Sequence, residues 1–208
     1  MSQHRQRLVG RVDLVSASVA GLIALALLGL PLLFGQYYFG LDLTQANLGV
    51  RCAIKQLLVD QGQLWLSPAL GNGAPLLLRP EAELFYPLRW LTLALAVDAG
   101  ASLEAVLHLA LAAAGACWLG RTFGLRPNAA IAAGLLTALS GSFLDLLLHT
   151  SVYAVGAAWL PFAWAAARRA LHPSGRPSAL VTTGIAIAML LLGGESQSFG
   201  IAVVVVAA

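Results

Sequence analysis

Val15-Ser16-Ala17-Ser18-Val19-Ala20-Gly21-Leu22-Ile23-Ala24-Leu25-Ala26-Leu27-Leu28-Gly29-Leu30-Pro31-Leu32-Leu33-Phe34-Gly35 carries no charge over its whole length. A helix needs about 20 such residues to cross roughly 30 Å of hydrocarbon. The run follows a basic start, Arg5, Arg7 and Arg11, and leaves through Gln36-Tyr37-Tyr38-Phe39. A cleaved secretory signal has an apolar core of about 7 to 15 residues and then a small-x-small site. This core is longer and ends in aromatic residues that suit a membrane interface, so it reads as an uncleaved anchor.

The rest of the chain agrees with that solvent. Of 208 residues, 59% are hydrophobic and 10% charged, against about 45–50% and 25% in soluble domains. Further apolar blocks run at about 103–120, 129–148, 152–167, 180–194 and from 199 to the end at 208. The expected fold is therefore all-α, a polytopic transmembrane helical bundle. A large loop, residues 36–102, is expected on the outer side with amphipathic juxtamembrane helices. The last block holds about ten residues and no flanking charge, which predicts that the chain is the N-terminal part of a longer protein whose missing C-terminal segment completes it.

Charge sets the expected orientation. Leu88 to Val97 is apolar but too short to span, and it is expected to lie at the outer interface. The N-terminus and alternate loops then hold Arg5, Arg7, Arg11, Arg121, Arg126, Arg168, Arg169 and Arg176 with Asp13 alone against them. The other side holds Arg51, Lys55, Arg79 and Arg89 with Asp42, Asp60, Glu81, Glu83, Asp98, Glu104, Asp145 and Glu195. The Lys/Arg bias places the first set in the cytoplasm. Net charge is +3, but the basic residues are dispersed and form no cluster with interleaved aromatics, which excludes nucleic acid as a partner. Cys52 and Cys117 fall in a polar loop and an apolar block, so neither a disulfide nor a metal spacing is expected.

The outer set contains the candidate chemistry. Ionisable groups gathered at a membrane boundary are costly unless paired or facing a wet cavity, although acids beside outer span ends also occur with no role. Asp42 follows the first span and precedes an amphipathic helix, Gln45 to Gln61, whose Val50, Ile54, Leu57 and Leu58 form one apolar stripe able to lie on the membrane. Arg51 and Lys55 share the neighbouring face, where an anion such as a lipid phosphate would relieve their repulsion. Asp145 and His149, four apart, can share a cation or form a solvated cap. His108 lies inside an apolar block and is expected to hydrogen bond to a neighbouring helix. The loop from Leu64 to Pro75 is dense in glycine and proline but lacks the Gly-Lys-Ser/Thr ending of a phosphate loop.

Taken in order, Asp42, Gly62-Gln63-Leu64-Trp65, Gly71-Asn72-Gly73-Ala74-Pro75 and Glu83-Leu84-Phe85-Tyr86-Pro87 resemble the GT-C class of membrane glycosyltransferases. Within it the chain is similar to the YfhO-like bacterial membrane proteins. Ala138-Leu139-Ser140-Gly141-Ser142-Phe143, Ala158-Trp159-Leu160-Pro161-Phe162 and Leu192-Gly193-Gly194-Glu195-Ser196-Gln197 resemble that family's later spans, so the resemblance covers about residues 14–200. Two features depart from it: Gly194-Glu195-Ser196-Gln197 stands where a Gly-His-Pro-Gln-like run is usual, and family members are much longer.

The resemblance implies a multi-pass protein of the bacterial inner membrane that transfers a sugar from a polyprenyl-phosphate-linked donor to an acceptor on the outer side. Asp42 would serve as the catalytic base. Arg51, Lys55, Arg79, Glu81, Glu83 and Tyr86 would bind substrate, the basic residues among them stabilising the departing lipid phosphate. Asp145 and His149, or Glu81, would hold a divalent cation, Mg or Mn. The expected partners are membrane lipid and the lipid-linked sugar donor. The competing expectation is a non-catalytic membrane protein that binds or exports a lipid-linked glycan, and a transporter ranks third.

Overall fold

The long apolar run folds as helix α1, Gln3–Leu33, in a computed structural model that describes residues 3–38, 40, 48–63, 73, 75, 82–149, 151–172, 177–194 and 196–207. Pro31 lies inside the last turn of α1, where it removes one backbone donor. Two residues after Leu33, Gly35 adopts a positive φ, and the amides of Gly35 and Gln36 return to the carbonyls of Leu32 and Pro31. That pair of bonds closes the helix on a glycine in the left-handed region.

All regular structure among the described residues is helical. Short helix α2, Leu48–Lys55, continues into one wider turn, Gln56–Asp60. A tight turn, Pro87–Trp90, leads into α3, Leu91–Ala94, and then into α4, Val97–Thr122. Helices α5 (Pro127–Ala138), α6 (Gly141–His149), α7 (Ser151–Ala170), α8 (Pro177–Leu192) and α9 (Ser196–Ala207) complete the chain. Two helical stretches, Gly10–Leu33 with mean hydropathy 2.2 and Val97–Thr122 with 1.6, are long and apolar enough to cross a membrane.

Helix α4 is the centre of the bundle, with α1, α5 and α7 packed on it and α8 and α9 added against α7. Small residues set its close approaches. Gly21 lies against the Ala110 carbonyl and Ala114, and Gly29 against Val106, so α1 and α4 run antiparallel. A Cβ on Gly134 would stand 2.3 Å from the Ala113 carbonyl oxygen, so α5 docks on α4 through a position only glycine fits. Ala105, Leu109 and Ala112 of α4 meet Ala154 and Ala158 of α7, while Gly115 meets Phe162 further along, so these two helices run parallel. The apolar side chains left outside include Leu22, Leu27, Leu30, Leu136, Ile185 and Val204. In water such a surface would drive association; in lipid it is the solvent-matched face.

Two expectations are corrected here. The block read as one span at 129–148 is broken, because α5 ends at Ala138 and α6 starts at Gly141. The Ser140 hydroxyl donates to the Thr137 carbonyl and accepts from the Phe143 amide, and these bonds turn the chain where the helix would have continued. The stripe expected to lie on the membrane is also inside: Ile54 and Leu57, with Val50 and Leu58, pack on Ala82, Leu84 and Leu93. The segment Leu88 to Val97 forms the Pro87–Trp90 turn and α3, far too short to cross.

Candidate functional site

Each end of the central bundle carries a charged cluster. At the end where α4 leaves for α5, Asp13 of α1 accepts from Arg121 Nε at 2.7 Å and from Arg169 of α7. These are the residues that the charge count allots to one side. At the opposite end, around the start of α4, lies a buried network of four ionisable side chains.

Glu104 is its hub. Arg51 Nη1 donates to Glu104 Oε2 at 2.7 Å, and Arg89 Nη1 approaches the same oxygen at 3.5 Å while its Nη2 bonds to Glu83. All four side chains are at most 4% exposed. Three elements are tied by this arrangement: α2 through Arg51, the 82–90 segment through Glu83 and Arg89, and α4 through Glu104. The ion pairs occupy one edge of each guanidinium, and Arg51 Nε, Arg89 Nε and Glu83 Oε1 are buried without a hydrogen bond. Each such atom costs about 1–3 kcal/mol. Glu83 also has φ +50, a left-handed conformation that non-glycine residues seldom adopt. Two forms of strain thus meet at one carboxylate.

Burial dominates the protonation of these groups. It pushes the Glu83 carboxyl up to about 7, with Glu104 adding to the rise and Arg89 opposing it. It lowers the Arg51 guanidinium, against the pull of Glu104. For Arg89 the same burial is outweighed by Glu104 and Glu83, and its proton is held more tightly than usual. Burial thus favours the neutral form of Glu83, while its ion pair with Arg89 favours the charged one.

A second, neutral chain of hydrogen bonds begins beside it. Tyr86, fully buried, has its hydroxyl 2.8 Å from Trp159 Nε1 and 2.6 Å from His108 Nε2. The indole can only donate, so the hydroxyl accepts from Trp159 and gives its own proton to His108. Nδ1 of His108 therefore carries the ring hydrogen and donates to the Glu104 carbonyl at 2.8 Å. One tautomer satisfies every group, and the chain joins the 82–90 segment to α4 and α7. Burial raises the Tyr86 hydroxyl's pKa, so it stays protonated.

Of the residues singled out in the sequence, Arg51, Glu83 and Tyr86 are brought together, each buried and bonded to protein partners. The anion expected between Arg51 and Lys55 is replaced by protein: Arg51 takes the Glu104 carboxylate, and Lys55 Nζ donates to the Leu95 carbonyl. The reason is burial, since a guanidinium at 3% exposure needs a fixed counter-charge. Asp42, Arg79, Glu81 and Glu195 lie outside the described residues, as does the side chain of His149. Asp145 is exposed on α6, and among the described residues no group of three or more His, Cys, Asp or Glu side chains stands ready to hold a metal ion.

His108 bonds as expected, but to a loop residue and not to a neighbouring helix. Helical spacing alone does not pair the hub, Glu104 with Arg89. Its signal was present: an acid and a histidine four apart inside an apolar block demand partners, and Arg89 is the basic residue nearest along the chain. Comparison with known protein families, with curated proteins and with solved structures finds no match.

Proposed function

We propose that this chain is a polytopic bacterial inner-membrane protein that transfers a sugar from a polyprenyl-phosphate donor to an acceptor hydroxyl on the outer side. The supporting observation is the buried cluster of Arg51, Glu83, Arg89 and Glu104. It fastens to the end of the bundle the same inter-helix segment that carries Asp42, Arg79 and Glu81. Such a cluster is expensive at a membrane boundary and is an argument for a working site there. Arg51 and Arg89 set two guanidiniums at this end of the bundle, and cations in a poorly screened place favour a departing lipid phosphate. Asp42 takes the proton of the acceptor hydroxyl. The order of short motifs that resembles GT-C glycosyltransferases supports the same reading.

The orientation belongs to the proposal: N-terminus in the cytoplasm, the Asp13 cluster inside and the Glu104 cluster outside, as the Lys/Arg bias favours. Paired reporter fusions at Gly124 test it first. A cytoplasmic signal is expected, and an external one overturns the site. The activity is tested in proteoliposomes that hold the full chain and a radiolabelled polyprenyl-phosphate sugar. Transfer that disappears in Asp42→Asn while donor binding persists supports the enzyme. Donor binding by the unaltered chain with no turnover supports the glycan-binding alternative, which the mutual neutralisation of Arg51 and Glu104 favours.

A further inference from the structure

At the far end of α4 from the buried network, apolar and cationic side chains share one exposed surface. Phe123, in the turn after α4, is 55% exposed, and Trp164 of α7 is 43% exposed with its ring edge-on to Phe123 at 6.5 Å. Leu125 beside them is 40% exposed. The Arg168 guanidinium lies over the Phe123 ring, 4.3 Å from its centroid, and its Nε reaches the Thr122 carbonyl at 3.4 Å. Arg126 follows in the same turn, exposed, and makes no side-chain cap to α5. The acid at this end, Asp13, is buried and already shared by Arg121 and Arg169.

Stacking on Phe123 holds the Arg168 charge at the level of the aromatic rings and strengthens as water is withdrawn. Rings of this kind settle at the boundary between acyl chains and headgroups. Cations held at that depth meet lipid phosphates, and exposed Arg126 adds a second charge in the same turn. We infer that the α4–α5 turn and the end of α7 form a binding site for the headgroup of an anionic phospholipid, with Phe123 and Trp164 against the upper acyl chain and Arg126 and Arg168 on the phosphate. The site rests on the reading that α1 and α4 cross a bilayer, and it is independent of the glycosyl-transfer chemistry.

The test is quenching of Trp164 by brominated lipids in vesicles containing the full chain, with the Trp164 signal taken as the difference from Trp164→Phe. Brominated phosphatidylglycerol is expected to quench at a lower mole fraction than brominated phosphatidylcholine, by about fivefold for each arginine engaged. The preference should fall toward unity in 0.5 M salt, where the screening length is only about 4 Å. It should vanish in Arg126→Gln/Arg168→Gln and persist in Arg168→Lys, which keeps the charge. Equal quenching by the two lipids in the unaltered chain overturns the site while leaving the spanning reading intact. No quenching by either lipid overturns both.

Discussion

Arg51 and Glu104, 53 residues apart in sequence, meet at 2.7 Å with each side chain only 3% exposed. Removing one partner from such a pair leaves an uncompensated buried charge. Arg51→Met is expected to cost about 3–5 kcal/mol, read as a lowered unfolding midpoint in detergent. Arg51→Met combined with Glu104→Gln should lose less than the sum of the two single variants, since the second change removes the stranded charge. Additive losses would mean that the pair is not coupled.

Glu83 gives the protein a pH dependence with a definite sign. Its carboxyl titrates at about 7 when folded, against an ordinary value of 4.5. Below the ordinary value both states are protonated and the residue is neutral to stability. As pH rises from 4.5 to about 7 the unfolded chain gives up its proton first, so stability falls across that window and is level above it. The infrared carbonyl band of a protonated acid should grow as pH drops through about 7 and be missing in Glu83→Gln.

Tyr86→Phe keeps the ring and deletes the hydroxyl that Trp159 donates to and His108 accepts from. Buried His108 and half-buried Trp159 each lose a partner, and the expected loss is about 1–3 kcal/mol. The indole of Trp159 reports it directly, with a shift in tryptophan emission that Trp159→Phe removes. An unchanged spectrum and midpoint would mean that the hydroxyl is dispensable.

Two glycines should respond in opposite directions. Gly134→Ala drives a methyl group into the Ala113 carbonyl and must move α5 off α4, at about 1–3 kcal/mol. Gly184→Ala meets nothing within 4 Å and raises helix propensity in α8 by up to about 1 kcal/mol. Thermal midpoints of the two variants against the parent decide it.

The helices were more legible than the contacts between them. An unbroken apolar run is a local property, and α1 and α4 follow from it. The division of α5 from α6 was less legible, because Ser140 and Gly141 sit inside a run whose average hydropathy hides one pair of side-chain bonds. Charge patterning grouped Asp13 with Arg121 and Arg169, which the structure also gathers at one end. The buried network is not legible along the chain, because helical spacing pairs Arg51 with Lys55 four residues on, while its true partner stands on another helix. A one-dimensional pattern names neighbours along an element. Burial chooses partners across elements, and here it makes Arg51 and Glu83 joints of the fold.

The joint at Asp13 also bears on how the protein is made. Its first arginine lies 108 residues further along the chain and its second 156. At about 5–20 residues per second, Asp13 waits on the order of ten seconds for Arg169 to emerge. Until Arg121 emerges, the first helix stands with its acid unpaired near the edge of its apolar stretch. Only the arrival of α7 supplies the second arginine, so the joint around the N-terminal helix is complete long after that helix's own synthesis.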